Sequence, residues 1–349
     1  MKTDLFDYEL PEGLIALHPP ERRDSGRLMI VPRGDRPFEH GRVTDLPELL
    51  APGTLLVAND TRVIPARLRG VRVTGGRVEA LLMRCLGPRG AGSRWSALAK
   101  ANRPLKPCDA IELAGLAATV AGRGGQGEVE LDFEADEAAV RTRLAGHGEV
   151  PLPPYIKRAP VAADTERYQT VYAARDGSVA APTAGLHFSE DLLAALERRG
   201  VERAFVTLHV GPGTFRPITA DEMDAHRMDA EELEINEAAA AAIRRAKAEG
   251  RPVVAVGTTA VRALEGAFAS RGRVATFSGP TDLFIRPGFR FRVVDGLITN
   301  FHLPRSTLLV LVSALVGRER MLEAYAQAVR EGYRFYSYGD AMLVPPEAR

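Results

Sequence analysis

The sequence of 349 residues is poor in cysteine and has no long apolar run. Its two cysteines, Cys85 and Cys108, form no C-x-x-C motif, which argues against a disulfide framework or zinc ribbon and suits a reducing compartment. The longest apolar stretch, at 308–316, is far too short to span a bilayer. The first residues include acids where a signal peptide needs a basic start and an apolar run. We therefore expect a soluble, cytoplasmic protein.

Short motifs of several enzyme classes are also missing. The one G-x-G-x-x-G, GRGGQG at 122–127, is a Gly-rich turn between predicted strands and opens no helix, and there is no G-x-x-x-x-G-K-[ST], which argues against Rossmann dinucleotide-binding and P-loop proteins. The absence of G-x-S-x-G removes support for a hydrolase nucleophile. The seven histidines are not spaced as metal ligands on one element, and H-E-x-x-H is absent, so we expect no structural zinc.

The net charge of +1 conceals two blocks of opposite sign. Residues 62–106 contain eleven Lys or Arg and one acid, whereas residues 107–137 contain eight acids and one Arg. Alternating apolar and polar residues between Gly-rich turns predict that 69–150 form an inserted all-β, barrel-like domain. A charge run is usually a solvated face, but this imbalance also fits RNA contact, in which each neutralised phosphate steepens the salt dependence by about 0.9 log units.

The rest of the sequence alternates short apolar runs with helical periods. This alternation predicts an α/β layered domain with a mixed, partly parallel sheet, formed by 1–68 and 151–349. Ligands of such sheets bind beyond the carboxyl ends of the strands. Three loops should lie there, and each combines glycine with hydroxyl residues: APTAGLHFS (181–189), LHVGPGTFRP (208–217) and VGTTAVRALE (256–265). A single loop of this kind is typical of ordinary turns at strand ends, whereas three of them favour a shared cleft.

Three histidines lie near these predicted strand ends: His187, His209 and His302. Each taken alone is more commonly a hydrogen-bonded, partly buried residue. Because imidazole titrates near neutral pH, a trio at one sheet edge is also a plausible set of catalytic acids and bases.

A series of longer motifs gives a resemblance to a known family. It includes NDTRVIPARL (59–68), PLPPYI (151–156), VAAPTAGLHF (179–188), AFVTLHVGPGTF (204–215), VGTTAVRALE (256–265), VVDGLITNFHLPRSTL (293–308) and YRFYSYGDAML (333–343). This series resembles S-adenosylmethionine:tRNA ribosyltransferase-isomerase of queuosine biosynthesis almost from end to end. Only the segment between about 70 and 148 matches loosely.

The resemblance implies an enzyme that transfers and isomerises the ribosyl moiety of S-adenosylmethionine. The acceptor is 7-aminomethyl-7-deazaguanine at the wobble position of tRNA, and the products are epoxyqueuosine-tRNA, adenine and methionine. S-adenosylmethionine is then a co-substrate, tRNA is the partner, and no tightly bound cofactor, metal or membrane is needed; we expect a monomer. The sulfonium acidifies the C5′ hydrogens, so a general base is required, and His187 is the first choice.

The remaining site residues are assigned to the two substrates. Predicted substrate-binding residues are Asp60, Arg62, Thr183, Gly185, Gly211, Thr214, Arg216, Thr258, Thr259, Asp282 and Asp340. Predicted tRNA-binding residues are Arg67, Arg69, Arg72, Lys100, Arg286 and Arg305. Taken alone, the aspartates are ordinary turn-capping residues.

Two positions depart from the family pattern. Arg286 stands in IRPG where an aromatic residue is expected, although arginine can also stack on a base and contact phosphate. Asp229 stands in HRMDAE where a second histidine is expected, which removes His226 from the candidate catalysts.

Two other functions stay open. A methyltransferase would use the same co-substrate but form methylated tRNA and S-adenosylhomocysteine. A catalytically silent tRNA-binding module would bind with a steep salt dependence and never turn over, although a pure binder needs no polar cleft.

Overall fold

The computed structural model describes residues 1–125, 127–215 and 218–347. Contacts divide the chain into two compact units. The α/β unit comprises residues 1–61, 169–175 and 181–349, and the barrel unit comprises residues 62–168 and 176–180.

The strands are numbered in chain order. They are β1 (Arg27–Ile30), β2 (Glu39–Arg42), β3 (Leu55–Asn59), β4 (Thr61–Val63), β5 (Arg67–Arg72), β6 (Gly76–Arg89), β7 (Gly92–Ala101), β8 (Ala110–Leu113), β9 (Leu116–Arg123), β10 (Glu128–Phe133), β11 (Arg175–Ser178), β12 (Glu202–Leu208), β13 (Glu231–Ile235), β14 (Val253–Val256), β15 (Phe277–Thr281), β16 (Gly296–Asn300) and β17 (Ala341–Val344).

The helices are numbered in the same way. They are α1 (Leu46–Leu49), α2 (Glu137–His147), α3 (Ala162–Arg167), α4 (Glu190–Arg198), α5 (Glu237–Ala248), α6 (Thr258–Arg271), α7 (Thr307–Val316) and α8 (Arg318–Arg330). Two short 3₁₀ turns, Thr183–His187 and Pro212–Phe215, matter for the site. Within the described ranges, no helix combines the length and the apolar character needed to cross a membrane.

Nine strands of the α/β unit form one sheet in the order β15-β13-β12-β3-β14-β16-β17-β1-β2. Its centre, β12-β3-β14-β16, is parallel, whereas β13 and β17 pair antiparallel with β12 and β16. The predicted α/β fold with a mixed, partly parallel sheet is therefore confirmed. The central strands read LLVAN, VVAV and GLITN and are buried throughout, as expected for parallel strands covered on both faces.

Helices cover the two faces of this sheet. On one face, Leu56, Val254 and Ile298 share a core cluster with Leu193 and Leu196 of α4. On the other face, α5 and α6 contact β3, β12 and β14. The central strands are therefore covered on both faces, and the loops at their ends carry the polar residues.

The carboxyl ends of β3, β12, β14 and β16 meet at one edge of the sheet, which we call the C-terminal edge. Asn300 at the end of β16 is paired with Ala341 at the start of β17, and β1 starts beside the same residue. The segments that precede β1 and β17 therefore also lie at the C-terminal edge.

The barrel unit contains a closed antiparallel barrel in the order β10-β7-β6-β5-β8-β9. The single tryptophan, Trp95, is 1% exposed in its interior. At Gly70, a Cβ atom would lie 1.7 Å from the carbonyl oxygen of Glu112, so only glycine permits this approach of two strands. The predicted inserted barrel is confirmed.

Candidate active site

A polar cleft lies at the C-terminal edge of the sheet. It consists of two adjoining hollows that share Thr183, Thr214, Asn300, His302 and Leu308. Hydroxyl, amide and imidazole groups line it, and none of the described lining residues is charged.

Asn300 connects several segments of the cleft. Its side-chain oxygen accepts a hydrogen bond from Thr183 Oγ1 at 3.1 Å, and its amide nitrogen donates to the Tyr336 carbonyl at 3.0 Å. The same nitrogen lies 3.0 Å from His187 Nε2. Because an amide nitrogen only donates, Nε2 is the acceptor and the neutral ring carries its proton on Nδ1. Sequence reasoning missed Asn300, although its place at the end of a predicted strand in TNFHL was a usable signal.

His187 lies behind Asn300 and does not line either hollow. The ring is 3% exposed and packs against Gly26, where a Cβ atom would lie 3.4 Å from Nδ1. Burial lowers the pKa of His187 to about 4, so the ring is neutral at pH 7. Its contact with the cleft passes through the amide of Asn300.

His302 lines both hollows. It is 7% exposed, and burial lowers its pKa to about 3. Its Nε2 lies 3.0 Å from Thr299 Oγ1, and its backbone N–H donates to Tyr325 Oη at 2.9 Å. Its carbonyl accepts a hydrogen bond from Tyr8 Oη. The ring is thus neutral, and hydrogen bonds hold it both at its backbone and at Nε2.

His209 and Asp60 lie at the ends of adjacent parallel strands. His209 is half-buried, with Nδ1 2.8 Å from Thr61 Oγ1. Asp60 accepts a hydrogen bond from Thr207 Oγ1 at 2.7 Å, and burial raises its pKa. Neither side chain belongs to those that line the two hollows.

A buried ion pair supports the loop that contributes Thr214 to the cleft. Glu231 Oε1 accepts hydrogen bonds from the Gly211 N–H at 2.9 Å and from Thr214 Oγ1 at 3.0 Å. Its Oε2 pairs with Arg262 of α6, and each of the two side chains is 4% exposed. Arg262 also donates to the Leu283 carbonyl at 3.3 Å. Neither Glu231 nor Arg262 was among the residues predicted from the sequence. For Arg262, the available signal was a charged residue among the apolar residues of a buried helix.

Gly185 allows the 3₁₀ turn to pack closely. A Cβ atom at this position would lie 2.2 Å from Tyr172 Oη and 2.7 Å from Thr170 Cγ2. A larger residue would displace the turn that carries Thr183. The predicted role of Gly185 in the pocket therefore has a packing basis.

The other predicted substrate-binding residues are spread more widely. Thr258 and Thr259 line one hollow. Asp340 instead joins backbone segments, because its carboxylate accepts the N–H groups of Arg27 at 2.8 Å and Arg334 at 2.7 Å. Asp282 and Arg62 are exposed, Arg62 lies 3.5 Å from Asp176, and Arg216 lies outside the described residues.

Most predicted tRNA-binding residues form ion pairs. The pairs are Arg67–Glu79 at 3.6 Å, Arg69–Glu149 at 2.9 Å, Arg72–Asp109 at 2.8 Å, Arg305–Asp4 at 3.3 Å and Arg286–Asp224. Lys100 is exposed and forms no ion pair within the described ranges. Part of the basic block is thus neutralised, some of it by the acidic block.

Asp229, one of the two departures from the family pattern, packs against the loop that carries Thr214. A Cβ atom at Gly213 would lie 2.1 Å from Asp229 Oδ2, so the carboxylate packs directly on this turn. His226 packs edge-on against Phe284, and burial lowers its pKa while Asp229 opposes the shift. In the part of the chain that is described, no cluster of three His, Cys, Asp or Glu could hold a metal ion.

A polar cleft at the C-terminal edge of an α/β sheet, where such folds bind their ligands, is the arrangement of an α/β enzyme, here with a barrel inserted in its sequence. The particular family follows from the sequence match. The family described as queuosine biosynthesis protein matches residues 3–344, and the chain belongs to it.

Relatives of known name match over nearly the whole chain. The S-adenosylmethionine:tRNA ribosyltransferase-isomerase of Anaeromyxobacter sp. (strain Fw109-5) is 54% identical over 344 residues, which cover 99% of both chains. That of Rhodospirillum rubrum is 54% identical over 345 residues, covering 99% of this chain and 98% of the relative. The crystal structure of S-adenosylmethionine tRNA ribosyltransferase from Thermotoga maritima is 35% identical, with a TM-score of 0.57, over 98% of this chain and all of that one. The family indicated by the motifs is confirmed.

Proposed function

We propose that the chain is an S-adenosylmethionine:tRNA ribosyltransferase-isomerase of queuosine biosynthesis and acts in the cytoplasm. It transfers and isomerises the ribosyl moiety of S-adenosylmethionine onto 7-aminomethyl-7-deazaguanine in tRNA, and it releases adenine and methionine. The observation that carries this function is the 54% identity to enzymes of that name over 99% of the chain. The polar cleft at the C-terminal edge of the sheet supports it.

His302 is the proposed acceptor of the C5′ proton, because this residue lines both hollows. Burial disfavours an imidazolium here, but the incoming sulfonium is itself a cation. Proton transfer turns the sulfonium into a neutral ylide and His302 into a cation, so the total charge in the cleft does not change. The low pKa of His302 therefore keeps the base neutral before the reaction without adding a new buried charge during it.

His187, the first choice from the sequence, has a proposed positioning role. Its Nε2 accepts from the Asn300 amide, which in turn holds Thr183 at the cleft. Thr183 and Thr214 are proposed to contact the substrate hydroxyls. Asp60 and His209 line neither hollow, so they are proposed to meet the adenine end of a substrate that extends beyond the hollows, where the raised pKa of Asp60 helps it to retain a proton.

The reaction itself is tested by its products. Incubation with S-adenosylmethionine and tRNA carrying 7-aminomethyl-7-deazaguanine should release adenine and methionine in equal amounts. The matched control is the same tRNA with guanine at the wobble position, which should release neither. S-adenosylhomocysteine with methylated tRNA would identify a methyltransferase, and binding without turnover would identify a silent tRNA-binding module.

The barrel unit is proposed to contact tRNA phosphates through cations that no acid neutralises. Lys100→Gln should weaken tRNA binding and lower the slope of log K against log salt concentration by about 0.9. Arg94→Gln makes the same change in net charge, but Arg94 is paired with Asp132 at 2.6 Å and Glu130 at 3.3 Å. For Arg94→Gln, the slope of log K against log salt concentration should stay close to that of the unchanged protein. Equal slopes for the two variants in filter-binding titrations would contradict a direct contact of Lys100.

A further inference from the structure

Helix α6 begins at the cleft without a capping side chain. Gly257 precedes it with a φ of 87°, and the Gly257 N–H donates to the Ile298 carbonyl at 2.8 Å. The first hydrogen bond of the helix runs from the Val261 N–H to the Gly257 carbonyl at 3.3 Å. The three N–H groups at 258–260 find no acceptor among the described residues.

Two neighbouring helices show the usual solution at this point. Ser189 Oγ accepts the Leu192 N–H at 3.1 Å at the start of α4. Ser306 Oγ accepts the Leu309 N–H at 3.1 Å at the start of α7. Each serine thus accepts the N–H of the third residue of its helix, whereas the corresponding N–H of α6, that of Ala260, has no such acceptor among the described residues.

The hydroxyl of Thr259 provides a second and independent observation. Thr259 is 7% exposed and lines the hollow that also contains Gly257, Thr258 and His302. Its Oγ1 has no hydrogen-bond partner within the described part of the chain. A buried hydroxyl without a partner is unfavourable unless a ligand supplies the missing bond.

The charge of the cleft narrows the kind of ligand. None of the described side chains that line the two hollows is a cation. Free N–H groups at a helix N-terminus favour negative charge, and a carboxylate oxygen accepts several hydrogen bonds. A small anion in this hollow would thus be held by backbone N–H groups and a hydroxyl instead of by Lys or Arg.

We propose that the N-terminus of α6 and the Thr259 hydroxyl bind the carboxylate of the methionine moiety of S-adenosylmethionine. The assignment rests on the proposed function and identifies which part of the co-substrate occupies this hollow. The sulfonium and ammonium groups of the same moiety are positive, so a helix N-terminus discriminates in favour of the carboxylate. With the carboxylate fixed there, the sulfonium and the adjoining C5′ are directed to the part of the cleft that His302 lines.

The experiment compares two ligands by calorimetry in the absence of tRNA. They are S-adenosylmethionine and decarboxylated S-adenosylmethionine, which keeps the sulfonium, the amine and the nucleoside. The unchanged protein should bind S-adenosylmethionine at least 10-fold more tightly. Thr259→Val should lose about 10-fold in affinity for S-adenosylmethionine and almost nothing for the decarboxylated ligand, whereas Thr259→Ser should retain the preference.

Ser313→Ala is the control, because Ser313 of α7 also has a buried hydroxyl without a partner in the described residues but does not line the cleft. It should leave both affinities unchanged. Equal weakening of both ligands by Thr259→Val, equal binding of both by the unchanged protein, or a loss of tRNA affinity alone would each overturn the assignment. If the unchanged protein forms adenine and methionine yet does not distinguish the ligands, only the carboxylate site is wrong. If the unchanged protein releases neither adenine nor methionine in the product assay, the proposed function itself is wrong.

Discussion

Replacement of His302 by glutamine is expected to lower turnover by about 10² to 10⁴-fold, the usual contribution of a positioned general base. Glutamine is similar in size and can still bond to Thr299 Oγ1, but it cannot take up a proton. Single-turnover assays of adenine release measure the effect. S-adenosylmethionine and tRNA should bind nearly as before, because the change removes a proton acceptor and leaves the cleft neutral.

His187→Gln is the matched variant, since both rings are buried and neutral. If the His187 ring only orients Asn300, His187→Gln should lower turnover less than His302→Gln. An equal or larger loss in His187→Gln would return the role of base to His187, as the sequence had suggested. Turnover of His302→Gln at the level of the unchanged enzyme would remove His302 from the mechanism.

The pH dependence provides a further readout of the same pair. Burial lowers the pKa of His302 to about 3 and that of His187 to about 4, whereas the unfolded chain titrates near 6.5. The unfolded chain therefore binds more protons as pH falls from 6.5 to those values, and the folded state loses stability across that window. In chemical denaturation, the His302→Gln variant should lose less stability than the unchanged protein as the pH falls through this window. The pH profile of kcat/KM for the unchanged enzyme should show no titration of these two rings near pH 6.5.

The second large effect is expected when the buried ion pair beneath the cleft is broken. Arg262→Met should lower the free energy of unfolding by about 3–5 kcal/mol, because it leaves the Glu231 carboxylate buried without its cation. The loop of Gly211 and Thr214 depends on the same carboxylate, so the KM for S-adenosylmethionine should rise as well. Urea unfolding measures the first quantity and initial rates the second.

An exposed pair of the same unit provides the control. Arg245 and Glu202 lie 2.7 Å apart with side chains 54% and 45% exposed, so Arg245→Met should cost less than about 1 kcal/mol. The double variant Glu231→Gln, Arg262→Met should recover part of the stability, because the unpaired charge is removed. If Arg262→Met costs no more than Arg245→Met, the buried pair does not support the loop.

The fold could be predicted from the sequence because its signals are local. The alternation at 69–150, the apolar runs and the Gly-Thr loops each report on a few neighbouring residues, and together they indicated a mixed sheet with a barrel. The gathering of Thr183, Thr214 and Thr258 at one cleft followed from a general rule on the carboxyl ends of strands.

The arrangement of side chains at the cleft could not be predicted in this way. Whether His187 or His302 faces the cleft depends on the packing of residues that are far apart in the sequence, such as Gly26 and Asn300. The pairs Arg72–Asp109 and Arg94–Asp132 likewise join residues on separate barrel strands or their loops. Charge counts along the sequence contain no information on such pairings.

The place of β17 in the sheet has a consequence for biosynthesis. This strand, formed by residues 341–344, lies between β16 and β1 rather than at an edge. A nascent chain that has not reached residue 344 must leave one side of β16 and one side of β1 unpaired, and such open strand edges promote association with other chains. Completion of the α/β unit, including Asp340 and Tyr336 beside the cleft, therefore follows synthesis of nearly all of the 349 residues. Fragments that end before β17 should therefore associate more readily than the full chain.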